Sequence, residues 1–238
     1  MKSLLLTLAA ALASPALHAQ SCQVRSGATV PTLIELYTSE GCDSCPAADR
    51  WLSGLKGRSD VLAAAFHVDY WDQLGWKDRF ASPAHTARQA QGLASTGARF
   101  AYTPQIIVNG RDWRGSSLPS ASNTAPAVAL QLQRGAGDQV RIELQPLAGA
   151  PAQLKLWWAA VEDGHQSEVK AGENRGATLK HDDVVRDYGS VMLMSAAGAQ
   201  GLSLKAPSRG EGGRARRLLV VASDALSGRI LQAVELGC

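Results

Sequence analysis

The chain has 238 residues, 45% hydrophobic and 19% charged, with 24 Lys and Arg against 21 Asp and Glu for a formal net charge of +3. That balance is too small to argue for a nucleic-acid or membrane-surface partner, and neither a basic stripe nor a glycine-rich phosphate loop is present. The length suits one large or two modest domains.

Residues 1–19 read as a secretory signal: Lys2 supplies the positive start, Leu4 to Leu12 the apolar centre, and Ala19 the small residue before Gln20. The apolar run is too short to span a bilayer, and no later stretch is longer. Ala19-Gln20-Ser21 lacks the large apolar residue expected three positions before a lipidated cysteine. Removing the signal removes Lys2, so the charge falls from +3 to +2. The expected location is periplasmic or secreted, where disulfides persist. Four cysteines allow three pairings. The close spacing of Cys42 and Cys45 pairs them with each other, which leaves Cys22 and Cys238 for a structural bridge, since chain termini often lie close together. The alternative is two unpaired thiols.

After a short N-terminal segment (20–29), a first domain is expected over 30–135. Val30 to Tyr37 reads as a strand and Pro46 to Leu55 as a helix with Ala48, Trp51, Leu52 and Leu55 on one face. Val61 to Tyr70 is a continuous apolar run, as in a strand buried on both faces. Ser82 to Ala98 reads as a helix, and Gln105 to Val108 as a strand ending at the turn Asn109-Gly110. Ser116 to Pro126 is rich in breakers and reads as a connector, and Ala127 to Gln133 as a short closing helix. This alternation predicts an α/β sheet. Over 136–238 the period changes to two. Val140, Ile142 and Leu144 alternate with polar residues, as do Leu154, Leu156 and Trp158. Short strands follow at Ser190–Met194, Gly201–Lys205, Arg217–Ala222 and Arg229–Leu236, which predicts an all-β, sandwich-like C-terminal domain. Met192 and Met194 share a strand face and read as core packing, and His165 and His181 as surface residues.

The C-x-x-C at Cys42-Asp43-Ser44-Cys45 sits between a strand and a helix whose first turn holds Pro46. A thiol there feels the positive end of the helix dipole, which favours its thiolate. A zinc site needs further ligands, and no second C-x-x-C is present. About sixty residues downstream, Tyr102-Thr103-Pro104-Gln105 stands directly before a strand, a place that a cis-proline beside the cysteine pair takes in the thioredoxin-like folds this arrangement resembles; the alternative is an ordinary trans Thr-Pro at a strand entry. With these motifs, residues 30–115 resemble a thioredoxin-like domain. The pieces Glu35 to Pro46, His67-Val68-Asp69-Tyr70-Trp71-Asp72, Tyr102 to Gln105 and Gly172-Glu173-Asn174-Arg175-Gly176 resemble, in order, the exported bacterial family numbered 1223 among domains of unknown function. That resemblance implies an α/β thioredoxin-like N-terminal domain followed by the all-β one. Thioredoxins carry a buried acid six residues before the first cysteine, and Leu36 stands there; Glu35 is one step off, on the opposite face of a regular strand.

The chemistry these residues suggest is thiol–disulfide exchange. Cys42 is the expected nucleophile and Cys45 the resolving thiol. Thr103, Pro104, Trp71 and Trp76 are the expected substrate wall, with Glu35, His67 and Asp69 as auxiliary polar groups. The expected partners are protein thiols or disulfides, or a redox partner protein, with no cofactor, no metal and no membrane span; oligomeric state is open. The loop Glu173-Asn174-Arg175 reads as a turn, or as a polar projection toward the first domain. The alternative is a non-catalytic binding protein. In that case the C-x-x-C binds copper or zinc with His67, or stays a structural disulfide while the sandwich-like domain recruits a partner.

Overall fold

The structure is a computed structural model that describes residues 22–119, 123–194 and 197–238; the signal-like residues 1–19 lie outside them. In chain order the elements are β1 (Gln23–Arg25), β2 (Thr32–Thr38), α1 (Cys45–Ser53), β3 (Val61–His67), α2 (Pro83–Thr96), β4 (Gln105–Val108), β5 (Arg111–Trp113) and β6 (Val128–Arg134). They continue with β7 (Gln139–Pro146), β8 (Gln153–Glu162), β9 (His165–Glu168), β10 (Thr178–His181), β11 (Val184–Met194), β12 (Gln200–Lys205), β13 (Arg216–Asp224) and β14 (Ile230–Leu236).

Strand dominates, and this overturns the expected α/β thioredoxin-like domain followed by a separate all-β one. Only two α-helices stand against fourteen strands among the described residues. One eight-stranded sheet, in the order β14-β13-β8-β11-β3-β2-β4-β5, takes strands from both halves of the chain. The join is at β11, which pairs antiparallel with β8 and meets β3 in parallel at Val184 and Ala65. The backbone N–H of Ala65 donates to the Asp183 carbonyl at 2.8 Å. Reading each half by its own periodicity leaves out this lateral pairing, because a strand pattern reports which face is buried and not which neighbour it takes.

A four-stranded sheet, β1-β6-β7-β12, covers one part of the large sheet. Leu130, Leu132, Ile142 and Leu144 from it pack against Leu154, Leu156, Val220 and Leu231. The expected helix at Ala127–Gln133 is instead β6. Val128, Leu130 and Leu132 are buried at alternate positions, and this period of two outweighs the alanine content that suggests a helix. A second core joins Leu33, Phe66 and Ile107 to Trp157, Ala159 and Val221. A third sets Ala48 and Leu52 of α1 on Ile34, Leu36 and Ala63. Met192 and Met194 are 57% and 50% exposed, so their face of β11 is turned to solvent, while Leu193 between them packs against the core.

Candidate functional site

The disulfide is placed by what precedes it. Strand β2 is buried along its whole length and delivers the chain to a tight loop. There the Cys42 N–H donates to the Ser39 carbonyl at 3.2 Å, and the Cys45 N–H to the Cys42 carbonyl at 3.3 Å. Helix α1 begins at Cys45, with Pro46 in its first turn and no side-chain cap. Cys42 and Cys45 are disulfide-bonded with Cα atoms 5.4 Å apart. Both are fully buried, while Asp43 and Ser44 between them are exposed.

The Thr103–Pro104 peptide is cis. Because Gln105 of β4 pairs with Tyr37 of β2, Pro104 stands beside the end of the strand that leads to the cysteines. Trp71 connects the two. Its indole N–H donates to Thr103 Oγ1 at 2.8 Å, and its Cβ lies 3.0 Å from where a Cβ on Gly41 would be. Gly41→Ala is therefore expected to push Trp71 off Thr103, which indole fluorescence of the variant will register as a change in the Trp environment. An unaltered spectrum with unaltered stability counts against this contact. Trp76 donates its indole N–H to Glu40 Oε2 at 2.8 Å.

The loop between β9 and β10 lies over the pair. The Asn174 carboxamide donates to the carbonyls of Glu40 at 2.9 Å and Cys42 at 2.8 Å. Glu173 Oε2 accepts the Asp43 N–H at 3.1 Å. A carboxylate there faces the positive end of the α1 dipole. Asn174→Ala, which removes both carboxamide bonds, is expected to speed reduction of the Cys42–Cys45 disulfide by a small-molecule thiol roughly thirtyfold, in line with two net hydrogen bonds of about 1 kcal/mol each. Thiol-trapping time courses read this directly.

The chain matches the family described as Protein of unknown function (DUF1223) over residues 33–222. It belongs to that family. The crystal structure of protein AGR_C_4864 from Agrobacterium tumefaciens is similar at 27% identity and a TM-score of 0.68, covering 87% of this chain and 94% of that one. HBP35 of Porphyromonas gingivalis shares the fold at 14% identity and a TM-score of 0.59, covering 88% and 76%. No curated protein matches.

This DUF1223 chain also holds a buried cluster of acids and histidines. His181 of β10 lies between Glu40 Oε1 at 3.4 Å and Asp49 Oδ2 at 3.7 Å. Thr38 Oγ1 donates to Asp49 Oδ2 at 3.1 Å. His67 Nδ1 is 2.6 Å from Asp78 Oδ2, and the rings of His67 and His181 meet edge to face at 4.9 Å. Burial opposes the imidazolium of His181, but Asp49 and Glu40 outweigh it and raise the group to about 9. Burial likewise opposes the charge on Asp78, and His67 overcomes it, holding that carboxyl down to about 2. A raised histidine stabilises fully below its unfolded value near 6.5 and loses that contribution as pH climbs through about 9. Wild type is thus expected to lose thermal stability across this window, and His181→Gln to lack that loss.

His165 and His181, expected at the surface, are buried at 7% and 2% exposure. The signal was in the strand pattern: Leu179 and His181 are two apart in β10 and share its buried face. Glu40, Asp49 and Asp78 were also missed. His67 and Asp69 do not share a strand, because β3 ends at His67; Asp69 instead accepts the Thr86 hydroxyl at 2.5 Å. Glu35 is not brought to the cysteines. It pairs with Arg88 of α2, whose guanidinium lies 4.3 Å from the Phe66 ring centroid and 4.8 Å from that of Trp157. Burial disfavours this cation, yet Glu35 and Tyr37 more than offset it and raise its pKa. Arg88→Leu leaves the Glu35 carboxylate buried without its partner and is expected to destabilise by about 3–5 kcal/mol in denaturant titration. A cavity near 570 Å³ lies at the starts of β2 and β3 among Val30, Lys56, Arg58 and Asp60, away from the disulfide. Among the described residues no group of three His, Cys, Asp or Glu side chains is arranged to hold a metal ion.

Proposed function

We propose that this DUF1223 protein is an exported thiol–disulfide oxidoreductase of the periplasm or the extracellular space, acting on protein thiols or disulfides. The observation that carries the reading is a disulfide at the first turn of a helix, joined to a cis-proline wall through Trp71. A substrate thiolate attacks Cys42 Sγ, the Cys42–Cys45 bond breaks, and Cys45 leaves with the electron pair as a thiolate. A second substrate thiolate then attacks the substrate sulfur of the mixed disulfide. Cys42 is released, the substrate is oxidised to a disulfide, and the protein pair is reduced; the reverse sequence reduces a substrate. Thr103, Pro104, Trp71 and Trp76 hold the substrate segment in this scheme. Two observations are compatible with export: both described disulfides, and no helix among the described residues that is long and apolar enough to cross a membrane.

A second reading has its own observation. Both cysteines are fully buried beneath Asn174, which favours a binding protein that keeps the pair as a structural disulfide. The equilibrium reduction potential separates the two, measured by thiol trapping in glutathione buffers with Cys22 and Cys238 followed separately by mass. A value between about −120 and −270 mV supports exchange, and one below about −300 mV supports the structural role.

A further inference from the structure

Glu40 and Asp49 bracket the disulfide in sequence, and both carboxylates meet the same histidine. Glu40 is two residues before Cys42, and Asp49 is one helical turn after Cys45 on the buried face of α1. The side chain that answers both comes from the other half of the chain, on β10, which packs against α1. Its ring is 1% exposed. Neither ring nitrogen has a hydrogen-bond partner: the carboxylates sit at ion-pair distance, so His181 is held by charge and not by directed hydrogen bonds. The other groups facing it are His67 of β3, with Asp78 behind it, Phe80, and His165 opposite it in the β9–β10 register. The elements around the cysteines thus carry acids on the helix and loop, while the balancing cation comes from a strand none of them belongs to.

We infer that His181 sets the reduction potential of the Cys42–Cys45 pair, its positive charge offsetting Glu40 and Asp49 and so stabilising the thiolate that forms when the disulfide opens. The inference rests on the exchange chemistry proposed above only for its use, since a potential is defined without turnover. His181 is a positioning charge and touches no substrate. A cation that stabilises the reduced, thiolate form makes the disulfide easier to reduce. Removing it leaves two buried carboxylates facing the nascent thiolate and makes the disulfide harder to reduce. Removing one carboxylate does the opposite.

The test is the glutathione-buffered potential of the pair in the full chain at neutral pH for wild type, His181→Gln and Glu40→Gln. His181→Gln is expected to lower the equilibrium constant for reduction about tenfold, close to 30 mV for two electrons, and Glu40→Gln to raise it by a similar factor. The ultraviolet titration of thiolate in the reduced protein should move the apparent pKa of the pair up in the first variant and down in the second. Opposite signs are the expected result, since a loss of packing alone would move both variants the same way. Shifts of one sign, or no shift, overturn the inference. Should His181→Gln not fold, Asp49→Asn joins Glu40→Gln, and both must raise the constant; failure of either to do so overturns it. A wild-type potential in the structural range given above, with the opposite shifts intact, removes the oxidoreductase reading and leaves this one standing. A wild-type potential in the exchange range without the shifts does the reverse.

Discussion

Cys42→Ser is expected to lower thiol–disulfide exchange with a protein substrate by on the order of a thousandfold or more, because the attacked sulfur is gone and the remaining thiol cannot re-form the pair. Cys45→Ser should behave differently. With the resolving sulfur absent, the Cys42 thiolate forms a mixed disulfide that persists, and mass spectrometry should find the protein carrying its substrate covalently. The two variants therefore separate roles as well as presence. Exchange that survives in Cys42→Ser would sink the catalytic assignment, and an equal, traceless loss in both variants would remove the division of labour between the two sulfurs. Burial of both cysteines makes access the first barrier, so a substrate has to displace Asn174 from the Cys42 carbonyl before the chemistry starts.

The second large effect is on stability. The Cys22–Cys238 disulfide closes a loop of 216 residues, and on the chain-entropy account such a loop constrains the unfolded state by roughly 4–5 kcal/mol. The double variant Cys22→Ser, Cys238→Ser should unfold about 8–20 °C lower than wild type for a domain of this size. Calorimetry of the two proteins under non-reducing conditions measures it. A difference below about 1 kcal/mol would mean that the ends are already held together without the bond, for example by Arg134, whose Nε donates to the Cys238 carbonyl at 2.8 Å. The Cys42–Cys45 bond spans only three residues, so the same reasoning gives it little weight in stability.

Much of this was legible in the residues. Alternation marked β7 and β8, short strand-like runs marked β13 and β14, and the apolar run from Val61 marked β3. Position relative to a strand and a proline marked the cysteine pair. What was not legible was lateral. Val184 and Ala65 are far apart in the chain and carry no mark of their pairing, yet that pairing turns two expected domains into one sheet. Val128, Leu130 and Leu132 had a period of two in plain view, and the surrounding alanines drew the reading to a helix. Arg88 sits three residues after His85, on the buried side of α2, and a lone arginine there does not announce the four aromatic rings that surround its guanidinium. His181 was the costliest omission, since its acids come from segments before and after the cysteines and its strand lies more than a hundred residues on.

The shared sheet has a consequence for cutting the chain. Phe66 on β3 packs with Trp157, Ala159 and Val221, so its burial depends on residues beyond 150. A fragment ending near residue 135 would carry the cysteines and the cis-proline. It would also present a bare apolar flank at Leu33, Phe66 and Ile107, and a strand with free peptide groups where β11 had been. Such an edge recruits other chains, and a fragment of that kind should accumulate as aggregate and not as a working miniature. Insertions or deletions would be absorbed best in exposed turns such as Leu147–Gly149, where the chain reverses between β7 and β8.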